Sequence, residues 1–168
     1  MVAPEFRFGR NYRADFLVLS CHSAALHAAM VELEPPSARL YTKQGIESRR
    51  LTGALRQVKD WHAWGSQFRR EVADEIERAA KEDKRVPRHR YNFLRSELLD
   101  HKTAILSHFA IVIGRRDTLT PEDAQRRSNE SRWRVGIEIA TYDRLIDIGK
   151  HDKERMIEDR AAIAALTA

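Results

Sequence analysis

Apolar positions along the chain change their period several times, and each change predicts an element. Arg13 to Ser20 (RADFLVLS) is a nearly continuous apolar run, which predicts a strand buried on both faces. Val2 to Tyr12, ahead of it, carries Phe6 and Phe8 and leads into a first edge strand. Cys21 to Leu26 reads as a turn and His27 to Glu34 as the next strand. Pro35-Pro36 stops that strand, because proline donates nothing to a ladder. After a loop over Ser37 to Ser48, Leu51, Ala54, Leu55, Val58, Trp61 and Trp64 recur at three- and four-residue spacing. That period predicts an amphipathic helix from Ser48 to Trp64, with both tryptophans in the core.

Gly65 is the expected break, followed by a charged helix over Gln67 to Lys84 with a solvated face. A loop around Pro87 ends near Arg90, and Phe93 to Leu106 predicts a short helix. His108 to Gly114 (HFAIVIG) is rich in β-branched residues and predicts a buried strand. Thr120-Pro121-Glu122-Asp123 is a helix start: a hydroxyl cap, proline at the first position, acids in the first turn. That helix is expected to reach Ser128, with a last strand over Trp133 to Thr141 and a helix containing Leu145, Ile146 and Ile148. Residues 149–168 are helix-prone and alanine-rich, a tail beyond a core of about 9–148. The mixture predicts one α/β domain with a mixed central sheet flanked by helices.

Composition narrows the class. The 168 residues include one cysteine, Cys21, so no internal disulfide exists, and the usage suits a reducing cytoplasm. No apolar run is long enough to cross a membrane, and Met1 to Asn11 lacks the apolar stretch of a secretory leader. Thirty Lys and Arg against 25 Asp and Glu give a net charge of +5, which favours polyanionic partners. Arginine pairs at 49–50, 69–70, 115–116 and 126–127 suit bidentate phosphate contacts. Arg13, Arg49, Arg50, Arg115 and Arg116 are the candidates for touching a nucleic-acid backbone.

The chemistry gathers in the first two strands. Strand alternation puts Glu32 and Glu34 on one face, and Asp15 lies on the preceding strand. Carboxylates that close repel unless one is protonated or a cation neutralises them. A divalent ion is the usual remedy, and Mg²⁺ accepts a few carboxylate oxygens plus waters. The residues therefore point to a metal-dependent phosphodiester hydrolase using Mg²⁺ (or Mn²⁺). Gln57, on the following helix, is placed to orient a water, and Glu34 to serve as a further ligand or a general base. Lys43, in the loop, is the candidate positive charge, because Lys59 lies about 200° round the helix from Gln57. The seven histidines show no HxH or HExxH spacing, which argues against a zinc hydrolase, and His108 reads as a packing residue. No glycine-rich phosphate loop is present, so a nucleotide cofactor is not expected.

Asp15, then Glu32-x-Glu34 after 16 intervening residues, then Gln57, resembles a PD-(D/E)XK nuclease core, which is also called restriction-endonuclease-like. The resemblance implies that Asp15 and Glu32 ligate the metal and that Leu33 lends its backbone carbonyl. Where that superfamily commonly has lysine, this chain has Glu34, a departure that some members share. Asp15-Phe16-Leu17-Val18, Val31-Glu32-Leu33-Glu34-Pro35-Pro36, Lys43-x-Gly45, Ala54-x-x-Gln57-Val58-x-Asp60-Trp61, Ile113-Gly114-Arg115 and Thr141-Tyr142-Asp143-x-Leu145-Ile146 occur in this order. The series is similar to the nuclease domain of the Shedu antiphage-defence proteins over about Gly9 to Ile148. It implies DNA cleavage in bacterial defence, commonly within a homo-oligomer, and members usually carry a further N-terminal regulatory region. An acid from a preceding helix, used in many such cores, has only Glu5 as a counterpart. The competing reading is a catalytically impaired module that binds nucleic acid or a protein partner.

Overall fold

A computed structural model describes residues 1–22, 25–99, 104–133 and 137–151. Five strands form one sheet in chain order: β1 (Val2–Phe8), β2 (Tyr12–His22), β3 (Ala25–Leu33), β4 (Ala104–Val112) and β5 (Ile137–Ala140). β1, β2 and β3 pair antiparallel, whereas β3–β4 and β4–β5 pair parallel. Parallel neighbours need crossovers, and the chain supplies α1 (Arg49–Gln67), α2 (Arg69–Glu82) and α3 (Arg88–Leu99) for one, α4 (Pro121–Trp133) for the other. A further helix, α5, covers 142–151 among the described residues. The α/β class with a mixed sheet flanked by helices is thus observed.

The core lies between one sheet face and α1–α2. Leu17 and Leu19 of β2, Leu26, Ala28 and Met30 of β3, and Phe109 and Ile111 of β4 meet Leu51, Ala54, Leu55, Val58 and Trp61 of α1. Trp61 is buried and Trp64 packs against the cluster, so both tryptophans are core. Ser48 caps α1, accepting from the Leu51 N–H at 3.2 Å.

Several boundaries differ from the sequence expectation, each for a physical reason. Val2–Phe8 is itself a strand, registered on β2 from Val2↔Val18 to Phe8↔Tyr12. β2 is not buried on both faces: exposed Val18 and Ser20 alternate with buried Leu17 and Leu19. The pleat changes phase between Ala14 and Leu17 and, opposite them, between Ala3 and Phe6. Glu5 has a φ of 53°, and this single left-handed residue resets the alternation on its strand. The expected turn over Cys21 to Leu26 is instead strand as far as His22 and again from Ala25. Gly65 lies inside α1, and the break comes at Phe68, whose ψ of 54° ends one helix and starts the next. α3 starts at Arg88, just after Pro87, not at Phe93, and β4 starts at Ala104, not His108. α4 continues past Ser128 to Trp133, its last turns tied down by the Tyr41 hydroxyl donating to Glu130 at 2.8 Å. β5 accordingly begins at Ile137. His108 sits mid-strand and exposed, stacked on His27 with ring centroids 5.3 Å apart, so it is not a core packing residue. The tail over 152–168 lies outside the described residues.

Candidate active site

Even-numbered positions of β3 face α1: Leu26, Ala28 and Met30 are buried there, and Glu32 continues the same file. The file turns from apolar to acidic where the strand leaves the core. Glu34 follows just beyond β3, its N–H donating to the Val112 carbonyl at 2.8 Å, and Pro35-Pro36 prevents further ladder. α1 brings Gln57 over this edge, where its amide donates to Glu32 Oε2 at 2.9 Å. One helical stretch earlier, Arg50 reaches Glu34 Oε2 at 3.4 Å.

Asp15 enters from β2. The β2–β3 ladder ends at Phe16↔Val31, and one step further the Asp15 carboxylate takes over, accepting from the Leu33 N–H at 2.7 Å. Extended backbone points N–H and C=O of one residue to the same side, so the Leu33 carbonyl also faces Asp15. A side chain has replaced the ladder where the strands part, which leaves oxygen donors from Asp15, Leu33 and Glu32 along one gap.

The electrostatics match this crowding. Burial pushes the Glu32 carboxyl up to about 7, with the Asp15 and Glu34 charges adding to the shift. Gln57 donation and the Arg13 charge work against it. The Tyr142 hydroxyl is also raised, by burial and then by Asp15 and Glu34. Tyr142 donates to the Glu34 carbonyl at 2.9 Å and so pins the turn after β3. Among the described residues no three His, Cys, Asp or Glu side chains group so as to hold a metal by themselves. The donor set nonetheless suits a small hard cation: all oxygen, with two carboxylates that repel and one backbone carbonyl.

The structure therefore brings together Asp15, Glu32, Leu33, Glu34 and Gln57. Lys43 is exposed in the turn where the Gly45 N–H donates to the Thr42 carbonyl. No hydrogen bond or ion pair ties Lys43 to the carboxylates among the described residues; Arg50 is the cation in contact. Glu5, the counterpart for the missing helical acid, pairs with Arg13 at 2.8 Å. Arg49 is exposed at the start of α1, whereas Arg115 forks Asp143 at 2.8–3.0 Å and Arg116 reaches Asp147 at 2.6 Å. Sequence reasoning missed Tyr142 as a site residue, because long-range packing fixes its contact with Glu34.

The fold is an α/β sheet whose central strand ends in carboxylates, one of them held by a glutamine from the crossover helix. A family model described as Shedu protein SduA, C-terminal, matches residues 2–146, and the chain belongs to that family. Membership points to a nuclease-related role in antiphage defence. No curated protein matches the chain.

Proposed function

We propose that this protein is a metal-dependent endonuclease that cleaves DNA phosphodiester bonds in bacterial antiphage defence. The observation that carries the reading is the convergence of Asp15, Leu33 and Glu32 at the parting of β2 and β3, with Glu32 pushed up to about 7 by burial and like charge. Asp15, Glu32 and the Leu33 carbonyl would hold Mg²⁺ (or Mn²⁺), which when bound polarises a phosphate and acidifies a bound water. Gln57 keeps the Glu32 carboxylate turned into the crevice. Glu34, beside it, is the residue to accept a proton from the attacking water, and Arg50 supplies positive charge where lysine is common. Lys43 would act only by its loop folding inward. DNA is the partner, and a homo-oligomer in the cytoplasm is the setting that the family resemblance suggests.

A second reading is a module that binds DNA without cutting it. The Arg50–Glu34 pair favours it, since it engages the carboxylate that the enzyme reading uses as a base. Incubation of plasmid DNA with Mg²⁺ or Mn²⁺ separates the two. Cleavage by the unaltered protein that is lost in Asp15→Ala and Glu32→Ala supports the enzyme. Binding without nicking by all three proteins supports the module.

A further inference from the structure

A cavity of about 350 Å³ opens beyond the C-terminal ends of β4 and β5. Arg116, Leu119, Thr120, Pro121, Ala124, Arg127, buried Thr141 and Arg144 line it. Three guanidiniums in one small wall are unfavourable unless anions meet them. Arg116 has Asp147 at 2.6 Å and Arg144 has Glu138 at 2.9 Å, and neither acid lines the cavity. Arg127 differs: it is partly buried, its Nε is shut from water without a hydrogen-bond partner, and no carboxylate pairs with it among the described residues. Burial and the Arg144 charge press its pKa below the ordinary arginine value; Arg116 adds to this, while Tyr41 and Glu138 oppose it. Arginine does not escape by losing its proton, so an anion entering the cavity would offset this charge.

We propose that the cavity lined by Arg116, Arg127, Arg144 and Thr120 binds a single phosphate group, which on the nuclease reading is a backbone phosphate neighbouring the one being cut. The chemistry favours phosphate over a carboxylate because three guanidiniums and the Thr120 side chain line one cavity, and a tetrahedral dianion can meet more of them with separate oxygens. The placement favours a shared substrate. Tyr142, which holds the Glu34 carbonyl, directly follows Thr141 in the cavity wall. β3 and β5 are two strand spacings apart, roughly 10 Å, within reach of one nucleic-acid backbone.

Calorimetry with inorganic phosphate, at ionic strength held constant with chloride and without divalent metal, tests the pocket itself. The unaltered protein is expected to bind phosphate. Arg127→Gln and Arg144→Gln should each weaken it by about tenfold or more, as expected for losing a charged hydrogen bond. Arg127→Lys should fall between, and Arg95→Gln, whose side chain pairs with Glu77 elsewhere, should match the unaltered protein. No phosphate binding, or equal binding by both glutamine variants that retain the native circular dichroism, overturns the proposal. The source is read on a short duplex: Arg127→Gln should weaken DNA binding and reduce the slope of log affinity against log salt by about one. Phosphate binding lost with the DNA slope unchanged would overturn the backbone assignment. Failure of the nuclease reading shows separately, as intact plasmid with Mg²⁺ while phosphate calorimetry is unaffected.

Discussion

Glu32 ends a file of buried side chains, so its charge is set against the core on one side and against Asp15 and Glu34 on the other. Its carboxyl titrates near 7 when folded and near 4.5 when free. Between those values the folded state holds the more protons, so this group lowers stability progressively as pH rises from about 4.5 to 7, with the full penalty above. Glu32→Gln keeps an acceptor for Gln57 and removes the charge. In chelator, the variant is expected to match the unaltered protein near pH 4 and to be about 1 kcal/mol more stable at pH 8, after discounting for partial exposure. Thermal melts at both pH values check it; the same difference at pH 4 and pH 8 would sink the idea. Glu32 and Gln57 are legible in the sequence because strand alternation and helix period fix which way each points, whereas Asp15 is legible only from its place in the ordered motifs, since the pleat of β2 changes phase beside it. Tyr142 is not legible, since its hydroxyl meets Glu34 across 108 residues through an order of parallel strands that no local pattern encodes.

Gly114 shows how an element boundary positions the site. Its φ of 65° and the Ala38 carbonyl, 2.5 Å from where a Cβ would sit, exclude other residues. Gly114 donates to the Pro35 carbonyl at 3.3 Å and accepts from the Tyr142 N–H at 3.1 Å, joining the turn after β3 to the start of α5. Gly114→Ala is expected to cost about 2–4 kcal/mol, from left-handed strain plus a backbone clash. Denaturant unfolding measures this, and a loss below about 0.5 kcal/mol would show that the turn can relax. Elements with a strong period, α1 above all, were readable because one buried face dictates the spacing. α3 was misplaced because it buries no residue among those described, leaving its start to Pro87. The first half of β4 is not legible because Ala104 to His108 is mostly exposed and polar Ser107 and His108 interrupt the apolar run.

Across the whole molecule, the net charge of +5 matters only through where uncompensated cations lie. The arginine pairs look alike in sequence, yet packing divides them. Arg115 is forked by Asp143, whose carboxyl is held down to about 2 by that contact and by the Arg116 N–H, which fastens α5 to the end of β4. Arg49 lies exposed on α1 next to Arg50, which reaches over the carboxylate crevice. On the proposed DNA substrate, Arg49→Gln should therefore weaken duplex binding evenly across sequences and lower the salt slope by about one, with the melting temperature nearly unchanged. Arg115→Gln should do the reverse: a lower melting temperature from releasing Asp143, and a salt slope close to that of the unaltered protein. Binding titrations across a salt series, run beside thermal melts, compare the two variants directly. If Arg115→Gln lowered the slope and Arg49→Gln did not, the start of α1 would lie off the path of the polyanion.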